Sequence, residues 1–313
     1  MTRQLRDLAE REQVHFRSGG TTCAALHYRG DNGACLIMAA GGGVPKEPGT
    51  GPFAERFHAA GYSVLAFDYR RQGESGGQPR QIIRIREQHA DWQAAIAFAA
   101  TLPEVDAAKL VIWGYSLSGG HVLAVAARNP QLAAAIAHAP LADGVAASSH
   151  AMRYQKPIAA IRLTGRGLFD AIGGLFGREP LLVPLAGKPG TVAMLTTPDA
   201  LDADRAFSSA DHSTDWPKHI AARSALRIGC YRPGRQARRI QCPLLVIAHD
   251  DDCSALPKPG VRAAQHAANG SAVQLPGGHY GGYLDSHDRA VAIQLSFVAH
   301  HIGRPAFDGP SWF

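Results

Sequence analysis

One stretch of this 313-residue chain constrains its fold more than any other. From Lys109 it reads KLVIWGYSLSGGHVLAVAA: an apolar run, residues 110–113, enters Gly114-Tyr115-Ser116-Leu117-Ser118-Gly119-Gly120 and continues as an alanine-rich helix. Gly114 and Ser118 are small, as they must be where the backbones entering and leaving a sharp turn approach each other. The turn strains the backbone at Ser116 so that its hydroxyl stands clear, and the helix behind it adds free N–H donors and a positive dipole end. A phosphate loop is the competing use of such a turn, but no Lys follows where one would be required. The pentapeptide G-x-S-x-S is weak by itself; the strand before it and the helix after it give it force.

The rest of the chain fits around that turn. Residues 14–17 and 23–28 flank Ser18-Gly19-Gly20-Thr21 and read as an opening hairpin. Apolar runs at 34–40, 62–69, 110–113 and 132–137 read as buried strands, with helical patterns at 53–60, 85–101 and 117–129 between them. Alternation resumes with strand 243–248, helix 258–268, strand 271–275 and helix 290–301. Strands alternating with helices imply parallel strands joined by right-handed crossovers. The rhythm breaks between about 145 and 239, where Gly/Pro-punctuated, amphipathic and basic pieces show no clear strand. This segment reads as a helical cap inserted into a core made of residues 1–144 and 240–313. The tail 304–313, with Phe307, Trp312 and Phe313, is expected to pack back onto the body.

Charge follows the same division. The net charge is +6, yet residues 145–242 hold fourteen Lys and Arg against seven Asp and Glu, which leaves the remainder near −1. With no long basic run and no nucleic-acid motif, no nucleic-acid partner is expected. The basic segment reads as a solvated face, or as one that draws an anionic substrate toward a nearby cleft. The five cysteines lack the spacing of a disulfide framework or a zinc site, and Cys253 is notable for adjoining three acids. No apolar run is long enough to span a membrane, and the charged start, MTRQLRDLAEREQ, has no secretory core; the expected location is cytoplasmic.

A serine hydroxyl needs a histidine base oriented by a carboxylate, in the chain order Ser, acid, His for a turn of this kind. Past strand 243–248 come His249-Asp250-Asp251-Asp252-Cys253, three acids at a strand's carboxyl end, where catalytic groups of open α/β sheets gather. Asp252 is the candidate acid and Asp250 the fallback. His279, between Pro276-Gly277-Gly278 and Tyr280-Gly281-Gly282, is the candidate base, placed to reach over the sheet edge. His266, His300 and His301 fall on helical patterns and His287 just before one, so they read as solvent-facing. His121, just after the turn, reads as packing or orienting. An oxyanion needs two N–H donors: Leu117 directly after Ser116, and Gly42 within Gly41-Gly42-Gly43-Val44.

With these residues in view the chain resembles the α/β-hydrolase superfamily over nearly its full length, and bacterial serine hydrolases of esterase type in particular. FDYRRQGESGG at 67–77, YRPGR at 231–235 and Gly278-His279 before a tyrosine-containing loop carry the likeness. The resemblance implies an α/β-hydrolase fold, with a mostly parallel central sheet, helices on both faces and an inserted helical cap. It implies a catalytic Ser116–Asp252–His279 triad, an oxyanion hole of Gly42 and Leu117, and structural roles for Asp68 and Arg70. The chain departs from the family at Ala40-Gly41, where His-Gly is usual, and at Ser118. The reaction implied is cleavage of an ester or thioester through an acyl-enzyme, with acyl transfer, C–C bond hydrolysis and peptidase chemistry as alternatives on one triad, and a non-catalytic ligand-binding relative as the alternative outside catalysis. The implied partner is a small-molecule acyl substrate, with no metal or organic cofactor. The oligomeric state stays open, a homodimer included.

Overall fold

A computed structural model describes residues 11–208 and 215–302. In chain order, β1 (Arg11–Ser18), β2 (Thr21–Tyr28) and β3 (Cys35–Ala39) lead to α1 (Gly51–Ala59) and β4 (Ser63–Phe67). Then come α2 (Ile85–Ala99), β5 (Leu110–Tyr115), α3 (Leu117–Ala126) and β6 (Ala134–His138). The intervening segment holds α4 (Gly144–Ala151), α5 (Pro157–Leu175), β7 (Leu182–Pro184), α6 (Asp202–Ala206), β8 (His219–Ala221) and α7 (Arg223–Gly229). The chain closes the sheet with β9 (Leu244–His249), α8 (Pro257–His266), β10 (Gly270–Leu275) and α9 (His287–Ile302).

Eight strands form one sheet in the order β1-β2-β4-β3-β5-β6-β9-β10. The opening hairpin pairs antiparallel, with β2 antiparallel to β4, and every later pairing in the sheet is parallel. Central strands read as unbroken apolar runs because both their faces are covered. In β3, Cys35, Ile37 and Ala39 face one core with Trp92, Ile96, Val122 and Ala263, while Leu36 and Met38 face a second with Phe53, Phe57, Val291 and Val298. One layer therefore comes from α2, α3 and α8, the other from α1 and α9.

The fold matches the expected class, with element ends moved by one to three residues. The expectation that segment 145–239 lacks strands is not met. Leu182–Pro184 pairs with His219–Ala221 as a separate two-stranded ribbon. Three-residue strands are too short to show alternation, and their partners lie more than thirty residues apart in sequence. The tail 304–313 lies outside the described residues.

The motif at 67–77 braces this frame. Asp68 accepts from the Lys46 N–H at 2.6 Å, pairs with the Lys46 ammonium at 3.0 Å and accepts from the Glu74 N–H. Gly73 lies at φ +48° with no room for a Cβ, which would sit 2.2 Å from the Asp68 carboxylate. Arg70 forms a buried pair with Asp91 at 2.7 Å and donates to the Ser18 hydroxyl. Such pairs hold loops in register more than they add stability.

Candidate active site

The turn between β5 and α3 has the strained geometry its sequence implies. Ser116 sits at φ +57°, ψ −118°, a region costly for a residue with a side chain. Its N–H donates to the His138 carbonyl, and its own carbonyl accepts from Gly120 and Leu141. A Cβ on Gly114 would lie 2.4 Å from the Ser118 carbonyl oxygen, one on Gly119 2.9 Å from that of His138, and one on Gly120 2.5 Å from that of Leu141. Glycine is demanded at 114, 119 and 120, and position 118 has room for a side chain. Ser118 uses that room: its buried hydroxyl bonds to the Ala40 carbonyl and lies 2.6 Å from the Tyr69 hydroxyl, which accepts from Trp92 Nε1. The serine that weakens the pentapeptide thus ties this turn to the strand leading into Gly41 and Gly42.

Ser116 Oγ lies 2.9 Å from His279 Nε2, and His279 Nδ1 lies 2.8 Å from Asp252 Oδ2. The other Asp252 oxygen accepts from the Ser254 and Ala255 N–H groups, so the carboxylate is held from both sides. Asp250 points elsewhere, accepting from Gln274 on the surface, and Asp251 is exposed. With Nδ1–H donating to Asp252, Nε2 is free to accept the Ser116 proton. Burial alone would push the His279 imidazole down; the Asp252 carboxylate, by charge and hydrogen bond, and then Asp199 outweigh it and leave it raised.

On the other side of Ser116, a Cβ on Gly41 would stand 3.2 Å from the Ser116 Cβ, and one on Gly42 would touch Leu117. Leu117 opens α3, where N–H groups have no intrahelical partner. Among the described residues the Gly42 N–H has no acceptor either. Two unused donors therefore flank the hydroxyl.

Asp199 escaped the sequence reading. From a 3-10 turn of the intervening segment, Pro198–Leu201, it accepts from the Cys253 N–H at 2.8 Å, the His279 N–H at 3.1 Å and the Ser254 hydroxyl at 2.9 Å. It thus clamps the loop of Asp252 to the loop of His279. Burial would raise its carboxyl, but the charge of His279 and these hydrogen bonds hold it low. Nothing in the sequence near Asp199 marks it.

A histidine pair was missed as well. His138 and His249, at the ends of β6 and β9, stack with Nε2 atoms 3.0 Å apart. Burial pushes both imidazoles down, aided by the charge of His249 at His138 and of His279 at His249, which favours their neutral forms. His249 Nδ1 faces the Pro276 carbonyl, so His138 donates across the pair. His121 is fully buried among Gln88, His89 and Tyr231, as an orienting residue would be. His266, His300 and His301 are exposed and His287 is half-buried. Burial and neighbouring acids push the Cys253 thiol up, the opposite of an activated thiolate.

Ser116 and His279 open onto a cavity of about 300 Å³. Ile83, Leu117 and Tyr283 contribute from below, and Leu163, Met194 and Ile228 from the intervening segment. No Lys, Arg, Asp or Glu lines it among the described residues. The basic surplus is therefore not in the cleft: Arg153, Lys156, Arg162, Arg166 and Arg178 stand on the outer surface. No helix of the described residues is long and apolar enough to cross a membrane.

The chain belongs to the α/β-hydrolase superfamily, as a serine hydrolase. It is 40% identical over 289 residues to the quorum-quenching protein AidA of Acinetobacter baumannii, covering 91% of this chain and 93% of that one. Residues 37–168 match the family described as serine aminopeptidase, S33. A thiohydrolase of Arthrinium phaeospermum, apmlB, is 30% identical over 187 residues, 58% of each chain. Among solved structures, the α/β hydrolase GrgF of a Penicillium species superposes with a TM-score of 0.78 at 22% identity, over 93% of this chain and 99% of that one.

Proposed function

We propose that the protein cleaves an ester or thioester of a small apolar acyl group, with Ser116, His279 and Asp252 as its triad and Gly42 and Leu117 as its oxyanion hole. The observation that carries this reading is the unbroken relay from Ser116 Oγ through His279 to Asp252, at 2.9 and 2.8 Å, opening on an uncharged cavity. His279 Nε2 takes the proton as Ser116 Oγ attacks the acyl carbon, and the Gly42 and Leu117 amides stabilise the oxyanion. The imidazolium, held by Asp252, protonates the departing alkoxide or thiolate. The neutral imidazole left behind takes a proton from water as the water oxygen attacks the acyl carbon, and returns it to Ser116 Oγ as the bond to the acid breaks. Residues 145–239 act as a cap on the core of 1–144 and 240–313, lining the acyl side of the pocket.

Peptide-bond cleavage from a free amino terminus is the weaker reading, because a positive amine would find no carboxylate on the described cavity wall. One relative is named a quorum-quenching protein and another a thiohydrolase, and the second name is compatible with the thioester cleavage proposed here. The test is labelling by a fluorophosphonate probe, on wild type and Ser116→Ala, followed by a panel of acyl esters and thioesters of rising chain length. Wild type should label and turn over the panel, and Ser116→Ala should do neither. A folded wild type that fails to label, or a Ser116→Ala protein that still labels, overturns the assignment. Product analysis with an alcohol acceptor present separates hydrolysis from transfer.

A further inference from the structure

The outer face of α5 has no partner within the protomer. Ile158, Ile161, Leu168, Phe169 and Ile172 are each more than half exposed, and Leu175 and Phe176 at its end are about 80% exposed. At about 100° per residue, these five helical side chains fall within about 60° of Gly165 on the helix surface. They form one apolar stripe with Gly165 at its centre. The opposite face, with Leu163 and buried Gly167, turns toward the pocket and α7. The charged side chains near the stripe, Arg162 and Arg166, lie on one flank, and Asp170 is buried against Arg223 at 2.8 Å.

Gly165 itself has no internal explanation. Its φ is ordinary, and a Cβ built on it would meet nothing within 4 Å. Glycine weakens a helix interior, and here it leaves the middle of an exposed stripe bare. A glycine in that position has one clear physical use, the close approach of a second helix. We propose that α5 is the two-fold interface of a homodimer, in which the helices of two copies cross antiparallel at Gly165.

The register that this crossing imposes is self-complementary, as an isologous contact requires. With Gly165 on the axis, Ile158 lies opposite Ile172 of the partner subunit, Ile161 opposite the partner's Phe169, and Arg162 opposite the partner's Leu168. In this register no Arg lies opposite an Arg along the helix; the two-fold axis gathers Arg162 and Arg166 of both copies on one solvent-facing rim, their stems on apolar side chains. The helix dipoles run opposed, which is favourable. The stripe and the two residues at its end offer on the order of the ~800 Å² per partner that a standard interface buries. A lipid surface would accept the same apolar face with its basic flank, but it gives no reason for a glycine at the centre.

Sedimentation velocity at micromolar concentration tests the state, and cysteine cross-linking in a Cys230→Ser background tests the register. Wild type should sediment as a dimer and Ile161→Glu/Phe169→Glu as a monomer that still binds the fluorophosphonate probe, which shows it folded. Gly165→Cys should form a disulfide-linked dimer on mild oxidation, because a close crossing puts the two Cα atoms within the ~4.4–6.8 Å a disulfide spans. Ile158→Cys should not link to itself but should link to Ile172→Cys when the two are mixed. A monomeric wild type overturns the proposal, as does a dimer that survives the double Glu substitution or cross-links at 158 alone. A monomer that binds phosphatidylglycerol vesicles through this face assigns it to a bilayer instead. One that dimerises only after deletion of residues 303–313 assigns the face to that tail. Either result overturns it too.

Discussion

The floor and the roof of one cavity are built on opposite terms. On the floor, at the carboxyl ends of β3, β5, β9 and β10, His279 and Asp252 are almost fully buried, and each polar side-chain atom of Ser116, His279 and Asp252 has a partner. The roof meets the cavity with Leu163, Met194 and Ile228 and turns apolar side chains outward as well. Every large exposed hydrophobic residue among the described ones lies between Val145 and Leu201. The lesson is a division of labour. Proton transfer needs groups held to fractions of an ångström, so the floor rests on sheet and buried hydrogen bonds. Accepting an acyl group needs only shape and dryness, so the roof can vary.

Substitutions should therefore separate the two regions, and the largest effects belong to the floor. Ser116→Ala should lower kcat by more than about 10³-fold with the fold intact, since it removes the nucleophile alone; steady-state kinetics with thermal unfolding decides. Next comes the acid: Asp252→Asn should cost roughly 10²–10⁴-fold, while Asp250→Asn stays within about twofold of wild type. Equal losses in the two would move the acid.

Asp199 brings a charge of the roof against His279. His279 must be neutral to act as base, and its imidazole is held above the ordinary value, so activity falls as pH drops through that raised value. Asp199→Asn removes one of the charges that raise it. Its acid limb in kcat/KM should shift to lower pH, with kcat down about tenfold at the plateau as the two loops loosen. A fall in kcat with an unmoved limb would make Asp199 a brace alone.

Smaller effects belong to the roof. Leu163→Trp fills cavity space and should shift preference toward shorter acyl chains by roughly tenfold, about 1–3 kcal/mol of discrimination, while short-chain turnover holds. Smallest is Ile161→Glu/Phe169→Glu on the outer side, where short-chain turnover per active site should change less than about twofold.

Much of the floor was legible because its signals are local. Ser116 lies in a strand–turn–helix of a dozen residues, and its strain follows from that turn. Asp252 and His279 each follow a β-strand of the sheet, in the order the fold requires. Asp199 carried no such signal: it lies 53 residues before Asp252 and 80 before His279, and only folding of the roof brings it there. The His138–His249 pair joins two strand ends 111 residues apart. Ser118 read as a flaw in a motif, and its bond to the Ala40 carbonyl became visible only with β3 and α3 side by side.

The sequence by itself determined the sheet and its crossovers, singled out Ser116 and His279 as candidates and narrowed the acid to the cluster at 250–252, because periodicity and turn chemistry act over short stretches. The tertiary structure decided which of three adjacent aspartates meets His279, through the two backbone donors that hold Asp252 and leave Asp250 at the surface. It also decided that the basic residues of the roof stand outside the cleft and that α5 keeps an uncovered apolar stripe. Those are matters of which face turns inward, and an amphipathic segment does not carry that choice until its neighbours are in place.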